Sequence, residues 1–222
     1  MNNKYKEIVD TVEKFRALSR LHIEEMFFSH TKNKKNNANH VLKKLVDRGY
    51  LNQVKGFNPY VYIVKGSKIK QNGQKINQFL HIADVYLQLK LYGKVKFFEV
   101  EPRYSNVDVR PDLFVHWKGS FWFIECQNSH FSEDQMQKKI NRYETLYLSN
   151  QFIALPFQRE KKIMPFVWII GQGVPYNVRS SHIRLFQSKD VKSFMELFEH
   201  PKQEKKSDII KANEQGVFTW SL

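Results

Sequence analysis

Residues 110–127, RPDLFVHWKGSFWFIECQ, decide the fold of the second half of this chain. Two β-prone runs, 110–117 and 120–127, flank Lys118-Gly119, and such a two-residue connection predicts a hairpin. Asp112 enters the first strand, and Glu125 lies near the end of the second, thirteen residues on. Antiparallel pairing of that length brings both carboxylates to one end. Two acidic oxygens facing a common point suit Mg²⁺, a hard cation that prefers oxygen ligands. A metal there polarises a phosphoryl oxygen and generates a hydroxide nucleophile. Cys126 alternates with Glu125, which makes it a packing residue and not a nucleophile.

Pro111, Asp112 and Glu125 resemble the motif of the PD-(D/E)XK nuclease superfamily. The resemblance implies a restriction-endonuclease-like mixed α/β sandwich with Asp112 and Glu125 as metal ligands. The lysine of that motif is replaced by Gln127, which can hydrogen-bond a water but carries no charge for a pentacovalent phosphate. Lys138 or Lys139 from the following helix would have to supply it, with Asp84, Glu99 or Glu101 as a further ligand. Two readings follow. In one, Asp112, Glu125, Gln127 and Lys139 form a Mg²⁺-dependent site; in the other, the core is a retired nuclease fold without a cofactor.

Outward from the hairpin, the pattern is that of an α/β domain over 76–200. INQFLHIADVYLQLKLYG carries Ile76, Phe79, Leu80, Ala83, Leu87 and Leu91 near one helical stripe. KVKFFEVE (94–101) reads as a strand. Ser132-Glu133-Asp134-Gln135 is a capping box opening a helix to Leu148. MPFVWIIG (164–171) suits a buried central strand, HIRLFQ (182–187) another, and 188–198 a closing helix. The aromatics alternate on these strands, and core packing accounts for most of them. Whichever of the Phe121/Phe123 and Trp122 sets stays exposed would meet a partner protein or unpaired bases.

The front end, 1–66, reads differently. Ile8, Val9, Val12 and Phe15 predict a first helix, and Ser19 caps a second over 22–28. A third runs from about Asn37 to Arg48 with Gly49 at its C-cap. LNQVKGFNPYVYIV then gives a hairpin around 56–59. Three helices and a hairpin are the order of a winged helix-turn-helix, whose third helix enters the major groove. Lys32, Lys34, Lys35, Lys43, Lys44 and Arg48 can reach phosphates, and Lys55 and Lys65 can follow from the wing. Asn36, Asn37, Asn39 and His40 face base edges. Residues 67–75 read as a linker and 201–222 as a charged extension.

A second resemblance spans both parts. His81-Ile82-Ala83-Asp84-Val85, Glu99, Arg110-Pro111-Asp112, Phe123-Ile124-Glu125, Lys139 and Arg142-Tyr143 look like the replication-relaxation family of plasmid and phage proteins. That family carries an acidic residue two positions after the glutamate, which argues against nuclease chemistry. It implies a DNA-binding role in replication or relaxation of a mobile element, with replication or mobilisation proteins as partners.

Composition narrows the classes. With 36 Lys+Arg against 22 Asp+Glu, the formal charge is +14, which favours a polyanion as partner. Residues 1–80 hold 16 basic and 6 acidic side chains and 81–222 hold 20 and 16, so the excess lies at the front. Hydrophobic residues make up 41%, too many for a disordered polycation. No apolar run spans a membrane, and one cysteine excludes a disulfide framework. The expected setting is a cytoplasmic protein on double-stranded DNA, as a homodimer on paired half-sites. A protein adaptor without DNA binding is the third reading. The scattered histidines make no zinc site, and Gly171-Gln172-Gly173 lacks the Lys-Ser/Thr of a phosphate loop.

Overall fold

In the computed structural model, which describes residues 2–69, 73–104, 108–129, 131–199, 210–212 and 218–220, the helical spacing at the front holds. Ile8, Val12 and Phe15 are the buried stripe of α1 (Asn3–Phe15), whose N-cap Asn2 accepts the N–H of Lys4. The chain is mixed α+β and divides into two units, Met1–Leu87 and Gln88–Leu222. That division falls inside a helix. Among the described residues, no helix is long and apolar enough to cross a membrane.

The first unit continues with β1 (Leu18–Ser19), α2 (Arg20–Phe28), α3 (Lys34–Asp47), β2 (Leu51–Val54) and β3 (Val61–Val64). The strands form an antiparallel sheet in the order β1-β3-β2. Ser19 caps α2 as expected, with His22 in the unusual role of capping-box partner. Its Nδ1 accepts the N–H of Ser19, so the proton sits on Nε2, 2.8 Å from Asp84 Oδ1. α3 begins at Lys34, three residues earlier than its apolar spacing suggested, and buries Ala38, Val41, Leu42 and Leu45. Lys34 and Lys35 therefore belong to the helix and not to the loop. Gly49 stops it at φ 72°, a left-handed conformation that favours glycine.

Of the expected linker, 70–72 lie outside the described residues, and Gly73–Lys75 already begin α4 (Gly73–Tyr92). Leu91, expected on the stripe, is exposed, and Leu89 is buried in its place.

The second unit is a five-stranded sheet, β4 (Val95–Val100), β5 (Leu113–Trp117), β6 (Ser120–Gln127), β7 (Phe166–Gly171) and β8 (Leu185–Ser188), ordered as numbered. β4, β5 and β6 are antiparallel, while β6, β7 and β8 run parallel. Lys118 and Gly119 both take positive φ, 48° and 77°, as a type I′ hairpin turn requires. β5 starts at Leu113, later than the expected Arg110. Pro111, in that stretch, has no N–H to donate.

Strand alternation gives the sheet two faces. Phe114, Phe123, Val167 and Ile169 pack against Met136, Ile140, Tyr143 and Leu146 of α5 (Glu133–Leu148). Trp117, Trp122 and Trp168 line the other face with Phe194 of α6 (Val191–Glu199). All three indoles are matched, donating to the carbonyls of Leu89 and Trp117 and to Ser188 Oγ. Trp122 and Phe123 are both buried, and half-buried Phe121 packs on Phe157, so neither aromatic set is left wholly free.

α5 is also stitched to the segment 176–183. Glu133 Oε2 accepts the N–H of Asn177, Gln137 exchanges two bonds with the backbone of Arg179, and Glu144 Oε1 accepts Ser180 Oγ–H and the N–H of Ser181. The charged C-terminal stretch lies largely outside the described residues. Ile210–Ala212 and Phe218–Trp220 form an antiparallel pair, β9 and β10.

Trp168 stacks 4.0 Å from Phe194, centroid to centroid, at the middle of the second face. Trp168→Ala should therefore lower the unfolding free energy of the full chain by about 3–5 kcal/mol, read from denaturant midpoints followed by tryptophan fluorescence.

Candidate active site

Asp112 immediately precedes β5, and its Oδ2 accepts the N–H of Cys126 at 2.8 Å. That bond crosses from one strand of the hairpin to the other and brings Asp112 beside Glu125. Glu125 is 0% exposed and Asp112 7%. Glu125 faces α5, where the Tyr143 hydroxyl donates to Oε1 at 2.5 Å. Lys139 Nζ lies 2.5 Å from Oε2 as an ion pair. Oε2 has no directed hydrogen bond among the described residues. Lys139 and Tyr143 stand four apart, hence on one helical face.

Lys138, the other cation on offer from this helix, is instead exposed and paired with Asp134. Gln127 ends β6 opposite Gly171 and is largely buried. A Cβ on Gly171 would come 2.9 Å from that of Gln127, so the strand pair closes only over glycine.

Burial drives the electrostatics. It pushes the Glu125 carboxyl up to about 7, the Asp112 charge adds to this, and Lys139 and Tyr143 pull back only in part. Burial alone would lower Lys139, but the Glu125 and Asp112 carboxylates outweigh it and leave the ammonium more basic than usual. Burial, with Glu125 next, raises the Tyr143 phenol, which stays a donor. Burial likewise raises the Cys126 thiol, which is unreactive there.

Around Glu125 opens a cavity of about 440 Å³. Its walls include Arg103, Tyr104, Arg110 and Arg142, which the sequence reading did not assign to a site. Arg142 belonged to a recognisable signal, since it lies three residues from Lys139 on α5.

The proposed further ligands do not join the acid pair. Asp84 pairs with His22 in the first unit, Glu101 with Arg110, and Glu99 is exposed on β4. Among the described residues, no three His, Cys, Asp or Glu side chains gather as a metal cluster. A divalent cation held by Asp112 and Glu125 would have to displace Lys139 Nζ from Oε2, with water and phosphate oxygens completing its shell.

In the first unit, Lys32, Lys35, Asn39, His40, Lys43, Lys44, Arg48 and Lys55 are exposed. Lys34 is exposed and paired with Glu25, and Asn37 donates to Thr31 Oγ1. Apart from Lys32 and Lys55 these lie on α3 and its C-cap. His40 and Lys43 point away from the buried stripe of the helix.

An acid pair at one end of a sheet hairpin, with a lysine from the covering helix against it, is the arrangement of a nuclease-like domain. Residues 88–213 match the family model of the competence protein CoiA nuclease-like domain. The match covers more than half of the chain, and the chain belongs to that family. Two solved structures are similar at 12% identity and a TM-score of 0.31. Protein VC1899 from Vibrio cholerae covers 71% of this chain and Can2 from Sulfobacillus thermosulfidooxidans in complex with cyclic tetra-adenylate covers 83%. This chain spans 41% and 58% of their respective lengths. No curated protein matches it. The family shown is thus the CoiA nuclease-like one, not replication-relaxation.

The folded protein keeps the Glu125 proton to about pH 7, whereas an unperturbed carboxyl loses it near 4.5. Folding therefore takes up a proton between those values, and this group lowers stability as pH rises through that window. Glu125→Gln should stabilise more at pH 8 than at pH 5, the difference being on the order of 3 kcal/mol. Denaturant melts of both proteins at the two pH values measure it. Equal gains would contradict the assignment. Tyr143→Phe, which removes a bond to the ionised carboxylate, should move the carboxyl midpoint further up in a ¹³C NMR titration.

Proposed function

We propose that this protein binds duplex DNA through its first unit and cuts the phosphodiester backbone with its second, using a divalent metal. The observation that carries the reading is Lys139 against Glu125, beside Asp112. It returns to the acid pair the positive charge that Gln127 does not provide. Asp112 and Glu125 would hold the cation, which polarises the phosphate and activates water when bound. Lys139 stabilises the charge that builds on the phosphate oxygens, and Gln127 orients water. Tyr143 holds the Glu125 carboxylate in place. The raised Glu125 makes metal binding compete with a proton, so activity should rise with pH through neutrality.

We read the first unit as a winged helix-turn-helix. The order of three helices and a hairpin, with β1 joining the sheet, supports that reading, as does the exposed basic face of α3. On it, Lys43, Lys44 and Arg48 contact phosphates, and Asn39 and His40 reach base edges. Pairing on two half-sites would make it a homodimer. A place in plasmid or phage replication, with replication or mobilisation proteins as partners, rests on the motif resemblance alone.

A second reading keeps the DNA binding and retires the chemistry. It is favoured by the carboxylates being engaged internally, Asp112 with Cys126 and Glu125 with Tyr143 and Lys139.

Supercoiled plasmid incubated with Mg²⁺, Mn²⁺ or EDTA separates the two. Metal-dependent nicking should vanish in Asp112→Asn and fall roughly 100-fold or more in Lys139→Met. Bound but uncut DNA in every lane would establish the retired core. Replacing Lys43, Lys44 and Arg48 with alanine should lower the slope of log affinity against log salt by roughly 2–3. An unchanged slope would remove α3 from the interface.

A further inference from the structure

We propose that the cavity over Glu125 receives an unpaired DNA strand, one nucleotide at a time, and does not receive the duplex. For its chemistry the inference rests on the nuclease reading above; for binding it stands independently.

The site's depth is the first argument. Glu125 is fully buried, so a reacting phosphate has to descend between side chains to reach it. The phosphates of a B-form duplex lie on a stiff cylinder and cannot leave it singly, whereas an unpaired strand bends at each nucleotide. The volume, about 440 Å³, lies in the range that encloses one small-molecule-sized group.

Charge is the second. The lining cations Arg103, Arg110, Lys139 and Arg142 outnumber the lining acids Asp108 and Glu125, with Arg110 paired to Glu101. The Arg142–Asp108 contact is long, 3.9 Å, between two exposed side chains. Arg103 is exposed and makes no ion pair among the described residues. Two guanidinium groups at the rim are therefore available for phosphate or for stacking on an unstacked base.

Tyr104 is the third. Its hydroxyl is buried without a hydrogen-bond partner among the described residues, and burial keeps the phenol protonated. An unmatched donor costs free energy in the free protein. A nucleotide oxygen brought into this wall would satisfy it, and the ring offers a stacking surface.

The test uses the full chain in EDTA, with fluorescent oligothymidine as the unpaired strand and excess unlabelled hairpin duplex to occupy the first unit. Anisotropy should show oligothymidine binding that persists under duplex competition and weakens tenfold or more in Arg103→Ala/Arg142→Ala. Duplex affinity should change by less than twofold. Tyr104→Phe, which keeps the ring and removes the hydroxyl, should weaken strand binding several-fold while raising thermal stability. Strand binding untouched by the arginine pair would overturn the proposal, as would equal loss of strand and duplex binding. With Mg²⁺ and a splayed duplex, cutting confined to the paired region would overturn it while leaving the nuclease reading intact. No cutting, with arginine-dependent strand binding, would sink the nuclease reading and leave this one standing.

Discussion

A buried carboxyl at the end of β6 organises the second unit. Burying the whole surface of Glu125 costs several kcal/mol unless it is protonated or matched. The protein does part of each. Tyr143 and Lys139 approach from α5, and the raised pKa lets the proton remain to neutrality. These partners require α5 to lie across the sheet at one rotation about its axis. The same rotation points Met136, Ile140 and Leu146 into the apolar cluster. The polar site and the core beneath it are thus consequences of one helix placement.

The two faces of the sheet divide the labour. The face toward α6 is a tryptophan layer with every indole N–H matched, a rigid support without ionisable groups at its centre. The opposite face carries the acid pair. Since β6 alternates strictly, Cys126 and Glu125 share a backbone segment and live in different chemical settings. The same alternation places Gln127 beside the site, against Gly171 on the neighbouring strand.

Much of this was legible in the sequence. The hairpin over 110–127 followed from Lys118-Gly119, the α5 capping box from Ser132 and Gln135, and the meeting of Asp112 with Glu125 from the length of the hairpin. Local signals sufficed there because each is fixed within a few residues. What was not legible depends on distant packing. The phase of α4 near its end goes with Trp117 donating its indole N–H to the Leu89 carbonyl, which no local period encodes. Asp84 offered itself as a further ligand from an upstream helix, yet its partner is His22, sixty-two positions earlier. The start of α3 was misplaced because Lys34 and Lys35 have no apolar neighbour to mark the period, although polar residues extend a helix readily. Arg103 and Tyr104 sit outside regular elements, so neither spacing nor period marks them as part of a wall.

The stitching of α5 to 176–183 has an asymmetric consequence for how this protein can diverge. On the helix, the contributions come from side chains: Glu133, Gln137 and Glu144 each reach across. On the other bank they come mostly from main-chain groups of Asn177, Arg179 and Ser181, which any amino acid other than proline supplies. Sequence drift is therefore cheap at the exposed positions 177, 179 and 181 and expensive along the helix and at the buried Tyr176, Val178 and Ile183. The helix that presents Lys139 and Tyr143 can keep its seat while the exposed positions of that strip are rewritten, leaving their side chains available for recognition.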